Sequence, residues 1–283
     1  MMIHHWKEIE NYVALEKYLH CKIVQSVFHI SAESSSPVSL YKWTDRQCLT
    51  MELWNNRMMS LIQRIINQAE LVAKSKCDVG SVEFKQLKDL MNQVRAKDLN
   101  YNGSKAFEQL GYIESDMKHA PCLYTEVYRN ERMNVCIFCV PNGREIPLHD
   151  HPYMCGIMKI IEGKALVEAY SHATLPPPNI VDGVPVEVIV HPPLQLTCED
   201  QPGVFTPYER NFHRVTSVGD YTSFFDVLIP PYNKTNRQCH YFSVKNVDSS
   251  DTGVQKCSLL PSLSSDYYCD DYDLKDKPTT SRI

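Results

Sequence analysis

The sequence predicts a mainly β protein in which helices at the N-terminal side precede a sandwich or barrel of short strands. Between residues 53 and 94, apolar residues recur at steps of three and four, as they do on amphipathic helices. From residue 122 onward, short runs rich in Val, Ile, Tyr and Thr are separated by Gly, Pro and Asp. Many short strands at nearly regular intervals are typical of a sandwich or a barrel.

Two helices are expected first, at residues 53–73 and at about 84–94. Their apolar stripes are typical of core packing, so we expect them to cover one face of the barrel. The predicted strands are 122–127, 134–140, 156–161, 164–170, 184–190, 194–197, 204–206 and a run that starts at residue 222 and ends at the prolines of residues 230–231.

The two ends of the chain give less information. Residues 1–58 carry no pattern that indicates a role, and we treat them as an extension of unknown role. Residues 248–283 are rich in Ser, Asp and Tyr and poor in branched aliphatic residues. Such a segment buries too little apolar surface to offset its ordering entropy, so we expect a disordered acidic tail. The domain is therefore expected to cover residues 59–247.

Composition excludes several classes of protein. The 283 residues carry a net charge of -5 and no run rich in Lys or Arg, which argues against a nucleic-acid partner. No segment reaches the length of a membrane span, and the N-terminus lacks the pattern of a signal peptide. The 11 cysteines are an odd number without metal-ribbon spacing, so mostly free thiols are expected. We therefore expect a cytoplasmic, monomeric protein.

A candidate metal site begins at His149 and His151. On a strand, side chains two residues apart lie on one face, so both imidazoles can bind one metal ion while Asp150 points the other way. Gly143 and Gly163 bracket this stretch as turns. The pair alone is weak evidence, because His-x-His triplets also arise by chance.

A third candidate ligand, His213, lies roughly sixty residues further on. That separation suits the returning strand of a double-stranded barrel, which brings His213 beside the first pair. Taken alone, a histidine is more often structural than a ligand. Together, the three imidazoles predict a three-histidine metal site.

These residues resemble a known family. Gly143, His149, His151 and Gly163 stand at the spacing of the first cupin motif, and the run 146–152, Ile-Pro-Leu-His-Asp-His-Pro, is similar to the 2-aminoethanethiol (cysteamine) dioxygenase and plant cysteine oxidase family of cupin thiol dioxygenases. The resemblance implies a cupin double-stranded β-barrel, or jelly roll, with N-terminal helices. It also implies Fe(II) held by the three histidines.

Most cupins have a metal-binding glutamate four or five residues after the second histidine, where this chain has Cys155 and Gly156. A site made only of neutral imidazoles leaves the full charge of a divalent metal available to an anionic ligand such as a thiolate. The missing carboxylate therefore agrees with the resemblance.

The resemblance extends to four residues near the metal. Asp226 is an acid in an apolar run, and we expect it to orient a ligand or to bind the ammonium of the substrate. Tyr232 and Tyr241 are expected to donate hydrogen bonds to bound oxygen or substrate. In animal members of the family, the counterparts of Cys239 and Tyr241 are able to link through a thioether; here buried, unlinked side chains are an equal alternative.

The activity that the resemblance implies is the addition of both atoms of dioxygen to a thiol, which gives a sulfinic acid. The substrate is cysteamine, which yields hypotaurine, or an N-terminal cysteine of a protein, whose oxidation marks that protein for degradation and makes the enzyme an oxygen sensor. The family usually has a small residue where Tyr153 stands, so this phenol is expected to narrow the entrance or to alter which thiol fits. Two alternatives are a noncatalytic metal-binding cupin and a zinc or manganese cupin isomerase.

Overall fold

The computed structural model describes residues 59–112, 120–248, 255–262 and 267–274. Its helices are α1 (Leu61–Lys74), α2 (Val82–Gln93) and α3 (Gly103–Gln109), with a 3-10 turn at Ala96–Leu99. The N-terminal extension, residues 1–58, lies outside the described residues, as does the first part of the first predicted helix. Within the described ranges, no helix combines the length and apolar character needed to cross a membrane.

Side-chain caps set where the helices begin. Ser60 Oγ accepts a hydrogen bond from the backbone N–H of Gln63, and Ser81 Oγ accepts one from Phe84, each at 3.2 Å. The third helix was not predicted, because Asn102-Gly103 is a common turn sequence. Here Asn102 is instead an N-cap, whose Oδ1 accepts from the N–H of Lys105 at 2.8 Å.

Eleven strands follow in the described residues. They are β1 (Cys122–Arg129), β2 (Asn134–Pro141), β3 (Glu145–His149), β4 (Cys155–His172), β5 (Val186–Val190), β6 (Leu194–Thr197), β7 (Gly203–Phe205), β8 (Phe212–Ile229), β9 (Tyr241–Asp248), β10 (Lys256–Ser262) and β11 (Cys269–Asp271). All pairs are antiparallel except β1 with β11, which is parallel.

The strands close into a barrel through β8. The strand order runs β11-β1-β2-β8-β3-β9-β10-β5-β4-β6, and β8 also pairs with β4. Strands β8, β3, β9, β10, β5 and β4 therefore form a closed ring of six, while β2, β1 and β11 extend the sheet from β8. The predicted cupin barrel is confirmed.

Two strands are longer than predicted. The two runs expected at 156–161 and 164–170 belong to one strand of 18 residues, β4. Gly163, expected to end a strand, lies in a β-bulge of β4 with φ of +71°, where a Cβ would overlap the backbone carbonyl of Tyr221. Strand β8 also has 18 residues, so His213 and Asp226 lie on one element.

The core has an outer and an inner part because side chains alternate along the strands. Phe225 and Val227 of β8 pack outward in one cluster with Ile65 of α1 and Leu87 of α2. Phe224, the residue before Phe225, packs in a separate cluster whose buried members all lie on strands. The helices therefore cover one face of the sheet, as predicted, and the other face surrounds the barrel interior.

The prediction of disorder over residues 248–283 is wrong for the described parts of that segment. Strand β10 pairs with both β9 and β5 and buries Cys257 and Leu259, while β11 pairs with β1. The alternation of Lys256 and Ser258 with Cys257 and Leu259 is a short strand signal in an otherwise polar segment. Strand β10 is stabilised because the side chains of Cys257 and Leu259 are buried against other strands of the barrel.

A disulfide joins the helical layer to the barrel. Cys77, in the loop after α1, is bonded to Cys155 at the start of β4, with a Cα–Cα distance of 6.5 Å and a sequence separation of 78 residues. Seven other cysteines of the described residues are free thiols, in line with the expectation of mostly free cysteines.

We expect the Cys77→Ser variant to lose roughly 4 kcal/mol of unfolding free energy, since a cross-link over a loop of this length restricts the unfolded chain by about that amount. Urea unfolding without reductant measures the loss, and reduction of the wild-type protein should reproduce it. The control is Cys198→Ser, which removes a partly exposed free thiol. Equal midpoints for the Cys77→Ser variant and the wild-type protein would contradict a stabilising disulfide.

Candidate metal centre

The three predicted ligands meet in the barrel. His149 ends β3, His151 follows it after one residue, and His213 lies opposite His149 in the antiparallel pairing of β3 with β8. Their nearest ligand nitrogens all lie within 4.8 Å of one another, and each histidine is at most 8% exposed. The structure therefore contains a three-histidine metal-binding site.

Hydrogen bonds orient each imidazole. Nδ1 of His149 lies 2.8 Å from the carbonyl oxygen of Pro147, and Nδ1 of His213 lies 3.4 Å from that of Arg210. Because a carbonyl only accepts, both Nδ1 atoms carry the proton, which leaves each Nε2 with a free lone pair. Hydrogen-bond partners at Nδ1 fix the tautomer in which Nε2 can bind a metal.

The nitrogens have the spacing of ligands to one ion. Nε2 of His151 lies 3.2 Å from Nε2 of His213, about the separation of two nitrogens that each lie roughly 2.1 Å from a shared metal. Burial, and then the charge of neighbouring imidazoles, lowers the pKa of His151 well below its usual value and that of His213 to about 3. Neutral imidazoles are the form that binds metals, so the donor set fits a divalent cation.

The packing of Phe205 explains why no carboxylate lies where most cupins have one. Gly156 pairs with Phe205, and a Cβ at Gly156 would overlap the Phe205 ring. That ring lies 4.0 Å, centroid to centroid, from the His151 imidazole. The preceding residue, Cys155, is held in the disulfide. Among the residues that the structure describes, the cluster is made of histidine alone.

We expect the metal-free protein to lose stability as the pH falls from 7 to 5. The folded-state pKa of His213 is about 3, whereas an unfolded histidine titrates near 6.5, so between these values the unfolded chain binds more protons. His213 alone should cost about 2 kcal/mol over this interval. Urea unfolding at the two pH values measures the loss, which His213→Gln should reduce. An equal loss in this variant would show that other groups cause it.

A cavity of about 350 Å³ opens beside the three histidines. It is lined mainly by apolar and aromatic side chains, which exclude water from the space near the metal ligands. Its other lining residues include Phe138, Ile146, Phe224, Asp226, Leu228, Tyr232, Cys239, Tyr241, Tyr267 and Cys269.

Asp226 places a carboxylate in this cavity. It is 6% exposed, and its Oδ1 atom has no hydrogen-bond partner. Burial raises the pKa of Asp226 to about 8. The Nδ1 atom of each ligand imidazole has a partner other than Asp226.

Tyr232 lines the cavity near the three histidines, where it was expected. Its hydroxyl donates to the carbonyl oxygen of Asp150 at 2.6 Å and accepts from Nδ1 of His151 at 2.8 Å. Donation by Tyr232 to oxygen or substrate remains a prediction; in this structure the hydroxyl proton is directed at the carbonyl oxygen of Asp150. Tyr232 also holds the orientation of the His151 ring.

Cys239 and Tyr241 both line the cavity, as expected. Tyr241 begins β9 opposite His149, with their ring centroids 6.4 Å apart. Cys239 is a free thiol, and burial raises its pKa to about 12, so it is protonated at neutral pH. Its hydrogen bonds with Tyr232 and Tyr241 place it between the two phenols.

Asp150 has a role that was not predicted from the sequence. This residue is 2% exposed, and its carboxylate accepts from the backbone N–H of His240 at 2.8 Å and from the His240 ring at 3.0 Å. The contact fixes the segment that carries Cys239 and Tyr241 against the two ligands of the His-x-His pair. Asp150 and His240 both lie inside the motifs that carry the family resemblance, and this was the one indication of their role in the sequence.

Three other placements differ from expectation. Tyr153 is 65% exposed and lines a separate groove with Asp150 and Tyr208, so it does not narrow the cavity at the histidines. Tyr267 and Cys269 do line that cavity, although they belong to the segment predicted to be disordered. No motif signalled their role.

The chain is similar to proteins of known name. The PCO_ADO family model matches residues 90–272. The chain is 32% identical over 213 residues to 2-aminoethanethiol dioxygenase of Mus musculus, which covers 67% of this chain and 81% of that protein. It is 28% identical to the protein of the same name from Homo sapiens, over 72% of this chain and 88% of that protein. Plant cysteine oxidase 2 of Arabidopsis thaliana is 26% identical, over 64% of this chain and 65% of its own length.

The family match includes all three histidines of the cluster and extends through β11, and the two animal relatives are covered over most of their length. The family resemblance that the motifs indicated is therefore confirmed. The chain belongs to the PCO_ADO family and is an enzyme of the thiol dioxygenase type.

Proposed function

We propose that the chain is an Fe(II)-dependent dioxygenase that converts a small aminothiol, or the N-terminal cysteine of a protein, into the corresponding sulfinic acid. The reaction adds both atoms of O2 to one thiol: RSH and O2 give RSO2H. The observation that carries the proposal is the cluster of three neutral, pre-oriented imidazoles that includes no carboxylate among the described residues.

His149, His151 and His213 would hold the iron. Bound iron(II) would supply the Lewis acidity and redox chemistry that unite a thiolate and dioxygen. The protein keeps the three Nε2 lone pairs directed at one point, because Pro147, Tyr232 and Arg210 bind the opposite ring nitrogens. An all-imidazole set adds no negative charge, and this favours an anionic sulfur ligand.

Asp226 would bind the amine of the substrate. An aminothiol arrives with an ammonium group, and the buried carboxylate has an oxygen without a partner in the same cavity as the histidines. Pairing with the ammonium lowers the cost of ionising Asp226 in an apolar site. The pair would thereby hold the sulfur in a fixed direction relative to the three histidines.

The size of the cavity agrees with a short substrate. A volume of about 350 Å³ accommodates cysteamine or the first residue of a peptide. Both candidates carry a free amine two carbons from the sulfur, which is the feature that Asp226 would recognise. If the substrate is a protein N-terminus, the enzyme acts as an oxygen sensor for protein degradation.

Two further expectations belong to this proposal. The catalytic domain begins near residue 59 and includes β10 and β11 beyond residue 247, since β11 lines the cavity and the family match extends to residue 272. We also propose a monomeric, cytoplasmic enzyme. The seven free thiols of the described residues support a reducing setting, in which the Cys77–Cys155 disulfide is the exception.

Anaerobic purification, metal analysis, reconstitution with Fe(II) and measurement of oxygen uptake test the proposal. We expect one iron per chain and uptake that depends on cysteamine or on a peptide that begins with Cys, with a sulfinic acid as product. Stoichiometric iron without thiol-dependent uptake would favour a noncatalytic cupin. Tight zinc or manganese with no oxygen uptake would favour the isomerase alternative.

A further inference from the structure

Two free cysteines lie side by side on paired strands next to the cavity, which Cys269 lines, and the thiol dioxygenase reaction has no use for them. Cys122 begins β1, and Cys269 begins β11 in the C-terminal segment. The strands are parallel, and these two residues are partners in the register. We propose that Cys122 and Cys269 form a redox-active dithiol that exchanges with small disulfides entering the cavity.

The backbone geometry allows a bond between the two sulfurs. Paired strands lie roughly 4.8 Å apart, within the Cα–Cα range of about 4.4–6.8 Å that disulfides span. The thiols of Cys122 and Cys269 are within hydrogen-bonding reach of each other. Closure of a disulfide therefore needs only side-chain rotation.

The strand that carries Cys269 is held firmly in register. The backbone N–H of Tyr272 donates to the carbonyl oxygen of Tyr124, and the hydroxyl of Thr125 donates to the carbonyl oxygen of Tyr272, each at 2.8 Å. The hydroxyl of Tyr112 donates to Oδ2 of Asp270, also at 2.8 Å. These contacts flank Cys269 and keep its sulfur beside Cys122.

The two thiols differ in access and acidity. Cys269 is partly exposed and lines the cavity, whereas Cys122 is only 4% exposed. The hydrogen bond from Cys122, and a second contact of 3.1 Å with the hydroxyl of Tyr267, lower the pKa of the Cys269 thiol. Burial raises the pKa of Cys122. Cys269 is thus the attacking thiol, and Cys122 resolves the product.

The exchange balances in two steps. The thiolate of Cys269 attacks one sulfur of a disulfide RSSR, which forms a mixed disulfide with Cys269 and releases RS⁻. Cys122, after losing its proton to solvent, attacks the Cys269 sulfur, forms the intramolecular disulfide and releases a second RS⁻. The small disulfide is reduced by two electrons and the protein dithiol is oxidised. With cystamine as RSSR, both products are cysteamine, the thiol proposed above as a substrate.

The thiol–disulfide exchange requires neither iron nor dioxygen, so it can be tested separately from the dioxygenase activity. The full chain, with its Cys77–Cys155 disulfide, is incubated anaerobically with cystamine, and its peptides are mapped by mass spectrometry. In the wild-type protein we expect a Cys122–Cys269 disulfide, whose formation releases two cysteamine molecules. Retention of both free thiols, or reaction at Cys239 in their place, would overturn the assignment.

Single substitutions test the order of attack. Cys122→Ser should stop at a cysteamine adduct on Cys269, and Cys269→Ser should leave Cys122 unmodified. Tyr267→Phe, which keeps the ring, should slow the exchange severalfold without abolishing it. Cys198→Ser is the matched control and should behave as the wild-type protein at Cys122 and Cys269. An adduct on Cys122 in the Cys269→Ser variant would reverse the roles. If Cys122→Ser does not fold, Cys122→Ala provides the same test.

Discussion

Replacement of His213 by alanine is expected to remove bound iron and thiol-dependent oxygen uptake together. His213 supplies one of three converging Nε2 atoms, and β8 offers no other donor at that position. Loss of a residue that merely orients a metal ligand typically costs 10- to 100-fold in affinity or activity, so loss of a ligand should exceed about 100-fold. Two remaining imidazoles also leave the ion exposed to competing ligands.

Metal content and oxygen uptake are measured on the same preparation of the His213→Ala variant, with far-ultraviolet circular dichroism to verify the fold. The matched control is His191→Ala, which removes an imidazole outside the cluster and should retain both metal and activity. Full iron content in the His213→Ala variant would show that this histidine is not a ligand. Loss of metal in the control would show that the effect is not specific.

Asp226→Asn should lower kcat/KM for cysteamine roughly 10- to 100-fold, because a charge-assisted hydrogen bond to the ammonium is worth about 1.5–3 kcal/mol. The readout that separates substrate binding from a structural role is a thiol without an amine. Activity on 2-mercaptoethanol should change little in the variant. An equal loss on both thiols would contradict ammonium binding by Asp226.

The same substitution should stabilise the metal-free protein at alkaline pH. The folded-state pKa of Asp226 is about 8, whereas an unfolded aspartate titrates near 4. The raised pKa of Asp226 therefore stabilises the folded state by its full amount below about pH 4. This stabilisation is lost progressively as the pH rises through 8. Above pH 8 the ionised carboxylate costs at most about 5 kcal/mol.

Urea unfolding of the metal-free wild-type protein and the Asp226→Asn variant at pH 6 and pH 9 tests this linkage. The variant should be the more stable protein, and its advantage should grow by about 2–3 kcal/mol between the two pH values. Asp89→Asn, which neutralises an exposed acid on α2, is the control for a general effect of charge. An advantage for Asp226→Asn that does not change with pH would exclude ionisation of Asp226 as its cause.

The parts of the site that were predictable from the sequence depend on local periodicity and motif spacing. His149 and His151 follow from the two-residue repeat of a strand, and His213 follows from the distance to a returning strand. The contact between Asp150 and His240 has no such signal, since it joins segments 90 residues apart through a side chain that faces away from the ligands.

The C-terminal strands were missed for a different physical reason. Composition measures whether a segment can form a core by itself, and the polar residues around Cys257 and Cys269 indicate that this one cannot. Strands β10 and β11 are stable because the barrel and β1 provide partners for their backbone groups and apolar side chains. A strand of only three residues that pairs with a distant segment, such as β11, has almost no recognisable pattern in its local sequence.

The pairing of β11 with β1 has a consequence for synthesis of the chain on the ribosome. All three histidines have emerged from the ribosome well before Cys269, so a metal could be captured while one wall of the cavity is still absent. Strands β1 and β11 can pair only after Asp271 has been synthesised, and contacts between such distant segments form slowly. Until β11 pairs with β1, the cavity lacks Cys269 from its lining, and the space beside the three histidines is more open to bulk water.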